Sequence, residues 1–346
     1  MRRQALVRTV AACALALVGC WLSPAVCRAE EVIKLKYGSY APQGVVDEPI
    51  FWFFDEVSKR SGVKIRLETY FLGTLAKADA CIDALGAGVY DVGWISPALS
   101  PAKTPLSMIP NATPVVARTL RSGTAAMDEL VRTYPPMAAE FDKANVKYLF
   151  SSAVWHYQLI STKPVRSFAE IKGLRVRTFG YLSKAWAEAG GVPVALSIAE
   201  AYDALQKGAL DGVLTQPVSM HETLKLSEIA KHYTDMDFGC LPVPVLMNAK
   251  AWNRLPEKVR KEMLALSGSM PEKVEQIIAG QEARAVDAMK KKGVQLYELP
   301  EPDKRRRDEI GRALTQVVAS DLSSRGAANA KETMDRYLQG LNKYSK

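Results

Sequence analysis

The chain has 346 residues, 48% of them hydrophobic and 24% charged, with a formal net charge of +9. That balance suits a globular protein with room for two separately cored lobes, and it excludes an intrinsically disordered chain. Of five cysteines, Cys13, Cys20 and Cys27 crowd the N-terminus and only Cys81 and Cys240 remain, so neither a disulfide framework nor a metal ladder can be built.

Residues 1–29 open on Arg2 and Arg3, run apolar from Val10 to Gly19 and end in small residues, the order of a secretory signal peptide. Cys27-Arg28-Ala29 offers a cleavage site with a mature start at Glu30, the expected processing. Leu17-Val18-Gly19-Cys20 also reads as a lipobox, whose Cys20 would carry a lipid anchor. Either route places the protein outside the cytoplasm, in the periplasm. The signal carries four arginines and no other charge, so its removal leaves a modest +5. The basic run Lys304 to Arg307 leads into a helical pattern of alternating sign, which reads as a solvated helix face and not as a nucleic-acid surface.

Beyond the signal, period two and period 3.6 alternate. Ile33, Leu35 and Tyr37 alternate with lysines as a strand. Asp47 caps a helix with Pro49 in its first turn, closed by Gly62. Val63 to Glu68 is a second strand, 75–87 a second helix, and VYDVGWI from Val89 a third strand. Such a βαβαβ opening calls for a mostly parallel sheet covered by helices. The pattern restarts at mid-chain with strands over 147–151 and 157–161. A capping box Ser167-Phe168-Ala169-Glu170 follows, then the strand LRVRT from Leu174. A helix over 181–189, the apolar VPVAL, a second capping box Ser197 to Glu200 and a strand over 209–215 complete the unit. From Pro256 the chain is mainly helical, with helices at 257–266 and 272–292, a strand at 294–299 and two final amphipathic helices. The expected organisation is lobe I over 30–153, with roughly 242–280 returning to it, and lobe II over 154–241. A helical region over 281–346 is expected to pack on both.

Catalytic signatures are missing. No GxSxG, HExxH, P-loop or GxGxxG stands at a strand-to-helix junction, and no cofactor motif is present. Three histidines occur: His221 in MHETLKL, His232 in a helix-end pattern KHYTD, and His156 between Trp155 and Tyr157 at the edge of a strand. All three read as structural before catalytic.

The run KGLRVR at Lys172 to Arg177 precedes AEAGGVPVALSIAEAYDALQKGALDGV, with Glu200, Tyr202, Ala204, Leu205, Gln206, Gly208, Asp211 and Gly212. Together with GVYDVGW, STKPV and VLMNAKAWNRLP, it closely resembles the extracytoplasmic solute-binding proteins of tripartite ATP-independent periplasmic (TRAP) transporters, the DctP-like family. The resemblance implies an α/β, two-lobe, type II-like periplasmic binding fold with mixed, mostly parallel sheets and a long C-terminal helix. It also implies an organic acid as ligand, TRAP membrane permease subunits as partners, no cofactor and no catalysis. The second arginine of the family motif pairs with the solute carboxylate, which here is Arg177. The strand reading agrees, because Arg177 lies nearer the carboxyl end that faces the crevice in open α/β sheets, whereas Arg175 reads as a structural cation.

Departures narrow the ligand. Tyr157 stands where members resembling sialic-acid binders carry a further arginine, and DGVLTQP puts Thr215 and Gln216 where acidic and amide groups often sit. A monocarboxylate with an apolar or aromatic body is expected, with a C4-dicarboxylate as the alternative. Tyr40, Trp94, Trp155, His156 and Tyr157 are expected at strand ends around the cleft, and Asn248 as a hinge-side polar contact. Competing readings are a ligand-sensing subunit and a secreted enzyme using His156.

Overall fold

The computed structural model describes residues 32–154, 156–196 and 198–345. The signal peptide, Cys20, Trp155 and the cap position Ser197 therefore lie outside the described residues. The first half comprises β1 (Val32–Gly38), α1 (Glu48–Ser61), β2 (Lys64–Tyr70), α2 (Cys81–Ala87), β3 (Val92–Trp94), α3 (Met108–Ala112), α4 (Leu120–Thr133), α5 (Pro135–Lys143) and β4 (Val146–Val154). The middle comprises β5 (Gln158–Ser161), β6 (Arg175–Thr178), α6 (Gly180–Glu188), β7 (Val192–Ala195), α7 (Ala201–Gln206), β8 (Gly212–Thr215), β9 (His232–Asp235) and β10 (Leu241–Asn248). Then follow α8 (Ala249–Arg254), α9 (Glu257–Ser267), α10 (Met270–Lys291), β11 (Gln295–Glu298), α11 (Glu301–Ser324) and α12 (Ala330–Tyr344).

The strands form two sheets, ordered β2-β1-β3-β10-β4 and β11-β9-β5-β8-β6-β7. In each, one strand runs against its neighbours. β10 lies antiparallel between β3 and β4, and β5 lies antiparallel between β9 and β8. Both exceptions stand where the chain changes sheet: β4 leaves the first sheet into β5, and β9 returns to the first through β10. The remaining pairings are parallel, so both sheets are mixed and mostly parallel, the two-lobe α/β architecture. One buried apolar cluster runs from Leu35 and Phe53 through Phe150 to Trp186, and a smaller one under the second sheet gathers Ile160, Leu205, Val213 and Met289.

Local chemistry explains the elements that place the cleft. Gly93 lets β3 approach β1, because a Cβ there would stand 2.6 Å from the Gly38 carbonyl oxygen. Gly62 closes α1 with φ of 64°, a conformation that glycine adopts without strain. Helix α4, for which the sequence reading has no counterpart, is capped reciprocally by Thr119 and Ser122.

Four local expectations are corrected. Asp47 precedes α1 but makes no side-chain cap, because its carboxylate turns inward to Tyr37 and Trp94. Ser167 makes no side-chain cap either, and the segment after it is a short 3-10 turn, Phe168–Ile171, whose first N–H donates at 2.7 Å to Asp303 of α11. His232 opens strand β9 instead of ending a helix. Arg307 lies inside α11 and is 4% exposed, so the basic run is not wholly a solvated face.

Candidate functional site

A cavity of about 270 Å³ opens between the two sheets. Its first wall is the loop after β1, from Tyr40 to Asp47, with Trp94 at the end of β3 and Val154 at the end of β4. Opposite stand Tyr157, Arg177 and Phe179 at the end of β6, then Thr215 and Gln216 at the end of β8, with Ile198 and Leu224. Ligand crevices form outside the carboxyl ends of strands in open α/β sheets, and this cavity lies there on both sides.

Arg177 and Arg175 share one face of β6 yet differ in partners. Arg175 pairs with Asp211, Nε to Oδ2 at 3.0 Å, and its Nη2 donates to the Gly208 carbonyl at 2.7 Å. Arg177 donates from Nε to the Leu196 carbonyl at 2.9 Å, and no described residue accepts from its two terminal nitrogens. Its guanidinium carbon stands 5.1 Å from the centroid of the Phe179 ring. Burial pulls the guanidinium below its ordinary pKa, and only partial compensation comes from the Tyr157 hydroxyl beside it. Among the described residues that line the cavity, Arg177 is the one cation and Asp47 the one acid.

Asp47 organises the first wall. Its Oδ1 accepts from the Trp94 indole Nε1 at 3.1 Å and from the Tyr37 hydroxyl, and its Oδ2 accepts from the Gly44 N–H at 2.7 Å. One carboxylate thus ties β1, the loop and β3 together. Burial pushes its pKa up, partly offset by these three donors. Tyr40 then packs on the fixed indole, ring centroids 4.8 Å apart. Across the cavity Phe179 meets Tyr157 edge-on at 5.4 Å. Gln216 accepts through Oε1 from the Thr215 and Ser219 hydroxyls, each at 3.0 Å, which leaves its Nε2 with no described partner.

Of the residues expected at the cleft, the structure brings Tyr40, Trp94, Tyr157, Arg177, Thr215 and Gln216 together. His156 and Asn248 are not among those that line it. His156 hydrogen-bonds through Nδ1 to Asp237 at the crossover between sheets, where Arg118 and Arg307 meet the same carboxylate. Asn248 is buried at the start of α8, capping Ala251 N–H at 3.0 Å and donating to the Leu85 and Gly86 carbonyls, because the C-terminal end of α2 needs donors. Sequence reasoning passed over Phe179 and Asp47 as lining residues, although the strand-end rule that selects Arg177 also selects Phe179. Among the described residues no group of three or more His, Cys, Asp or Glu side chains is arranged for a metal, and no helix is long and apolar enough to cross a membrane.

The C4-dicarboxylate-binding periplasmic protein DctP of Rhodobacter capsulatus is 26% identical over 159 residues, which is 46% of this chain and 47% of that protein, so the match spans about half of that relative's length. A TRAP periplasmic solute-binding protein from Desulfovibrio salexigens superposes with a TM-score of 0.79 at 25% identity, over 90% of this chain and 96% of that one. It is described as an open complex with the C-terminus of a symmetry mate in its ligand-binding site. A marine metagenome TRAP solute-binding protein specific for aromatic acid ligands has the same fold, with a TM-score of 0.78 at 20% identity, over 91% of this chain and 100% of that one. The model of the bacterial extracellular solute-binding proteins, family 7 (DctP), matches residues 49–321, from the first turn of α1 to the last turn of α11, and the chain belongs to that family.

Proposed function

We propose that this protein captures a small organic acid with one principal carboxylate in the cleft between its sheets, Arg177 pairing with that carboxylate. It then presents the closed form to the membrane subunits of a TRAP-type transporter. The observation that carries the reading is the Arg177 guanidinium, half-buried at a strand end with both terminal nitrogens lacking described acceptors. A planar fork with parallel donors fits a carboxylate in two-point geometry. A desolvated cation is costly until an anion meets it, so the ligand supplies the missing counter-charge.

The rest of the lining favours a monocarboxylate. A C4-dicarboxylate, the ligand named for the Rhodobacter relative, would leave a second charge with no described cation in the cavity. Tyr40, Trp94, Tyr157 and Phe179 offer flat apolar faces instead, and the marine protein of the same fold is described as specific for aromatic acids. Family 7 is a family of solute-binding receptors, so the reading is capture and not catalysis. Contacts made from both walls at once supply the free energy of closure.

A thermal-shift screen over aliphatic, hydroxy, keto and aromatic monocarboxylates, with dicarboxylates alongside, tests this. A ligand at 100 times its dissociation constant adds about 2.7 kcal/mol of stability. Small-angle scattering of the best hit should show the radius of gyration falling on binding. A screen in which no acid raises the melting temperature, or in which dicarboxylates outrank every monocarboxylate, overturns the reading.

A further inference from the structure

Two cavities of nearly equal volume flank Phe179. The front one is the cleft of about 270 Å³ that holds Arg177. The rear one, about 260 Å³, lies between α3 and the first turn of α6, floored by Met108, Ala112, Leu182 and Leu241. Phe179 is the one described residue that lines both. Its ring is held in place from two sides, edge-on to Tyr157 at 5.4 Å and beneath the Arg177 guanidinium at 5.1 Å.

Most polar groups around the rear cavity are already occupied; the exception is Lys184, exposed at its rim, whose Nζ stands 5.1 Å from the Tyr181 ring centroid with no acceptor among the described residues. Asn111 accepts through Oδ1 from Ser96 Oγ at 3.2 Å and Ala98 N–H at 3.3 Å, and donates through Nδ2 to the Pro242 carbonyl at 3.4 Å. Tyr181 donates to Asp321, which also pairs with Arg325 at 3.1 Å. Inside that rim the rear cavity, floored by Met108, Ala112, Leu182 and Leu241, offers a ligand apolar volume that suits a hydrocarbon tail.

We propose that Phe179 partitions the cleft and sets the length of acid it accepts. A short monocarboxylate fills the front cavity alone, and the tail of a longer one reaches the rear cavity only where the partition is cut back. The inference rests on the carboxylate standing at Arg177.

Isothermal titration of wild type, Phe179→Leu and Phe179→Ala with two homologous series tests it: straight-chain monocarboxylates, and phenylacetate through phenylpropionate and phenylbutyrate to phenylvalerate. In wild type, affinity should fall once the front cavity is full. In Phe179→Ala each added methylene should gain burial and tighten binding about fourfold, equivalent to about 0.8 kcal/mol. Phe179→Leu should fall between, and it keeps the test alive should the alanine variant fail to fold by circular dichroism. If both variants lower affinity by one common factor at every chain length, Phe179 is only a wall and the partition is overturned. If instead neither series binds wild type, or Arg177→Ala binds them equally well, the carboxylate assignment fails, and the partition falls with it.

Discussion

Arg175 Nε donates to Asp211 Oδ2 at 3.0 Å, and the same carboxylate oxygen accepts the backbone N–H of Arg175 at 2.9 Å. The pair closes β6 onto the turn before β8, and the Arg175 hydrogen bond, with its charge, holds the Asp211 carboxyl below its ordinary pKa. Two residues along, Arg177 has no such acid among the described residues. Arg177→Ala should therefore weaken binding of the acid found by screening by about 3 to 5 kcal/mol, or two to three and a half decades. Arg177→Lys keeps the charge without the fork and should fall between. Arg175→Ala, at an exposed and solvent-screened pair, should cost little stability and leave affinity nearly intact. Isothermal titration of the three variants decides; lost binding in Arg175→Ala with normal binding in Arg177→Ala moves the anion site.

Asp237 concentrates charge at the crossover between sheets. Its backbone is left-handed at φ of 46°, and its carboxylate meets His156, Arg118 and Arg307, which come from three other segments. Burial alone would raise its pKa; the His156 hydrogen bond and charge, followed by Arg118 and Arg307, reverse that and hold it below 3.8. A carboxyl so depressed stabilises the fold above its unfolded value and loses that contribution as pH falls through the folded one. Asp237→Asn should lower stability by about 3 kcal/mol at neutral pH. Urea melts of both proteins should show the difference shrinking below pH 3.8; a difference that stays constant into strong acid would mean the charge is not what the cluster uses.

Glu282 on α10 titrates with the opposite sign. Its Oε2 accepts from the Val218 N–H at 2.8 Å, while its buried Oε1 has no described partner. Desolvation pushes its pKa from 4.5 up to about 8, so the folded protein holds a proton that the unfolded chain releases. Stability should therefore decline as pH rises from 4.5 to about 8, by at most about 1.4 kcal/mol per pH unit for one proton. Asp128, pushed by burial to about 6, adds a slope of the same sign at the lower end of that window. Glu282→Gln removes the Glu282 share, so its advantage over wild type should widen steadily with pH. Denaturation curves of the two that stay parallel across the window would show that the ionised carboxylate is tolerated.

How much of this was legible depends on the range of the interactions concerned. Strands β1 and β2 and helices α1, α9 and α10 follow from hydrophobic period, which is local. Arg177 follows from the family motif and from its place near a strand end. Asp47 and Ser167 look like caps by local rules, but Asp47 found partners across the sheet and the turn after Ser167 found Asp303, and neither is visible from neighbouring letters. Strand β10 was hidden by Pro242 and Pro244, residues that ordinarily argue against a central strand. Here the strand is central nonetheless, with its register shifted between Val245 and Leu246.

The place of β10 also governs the order in which the protein can assemble. It fills the gap between β3 and β4, with Val245 opposite both Trp94 and Phe150. The first sheet stays in two pieces until residues 241–248 have arrived, whereas β5 to β9 lie together in the stretch between. The lobe that begins first is thus completed only after most of the second sheet has been made, and its closing contacts are the long-range ones that fold slowly. Until β10 arrives, β3 and β4 each expose an unpaired edge. A nascent or refolding chain is therefore most exposed to sticking to its own copies through its earliest strands, not its latest.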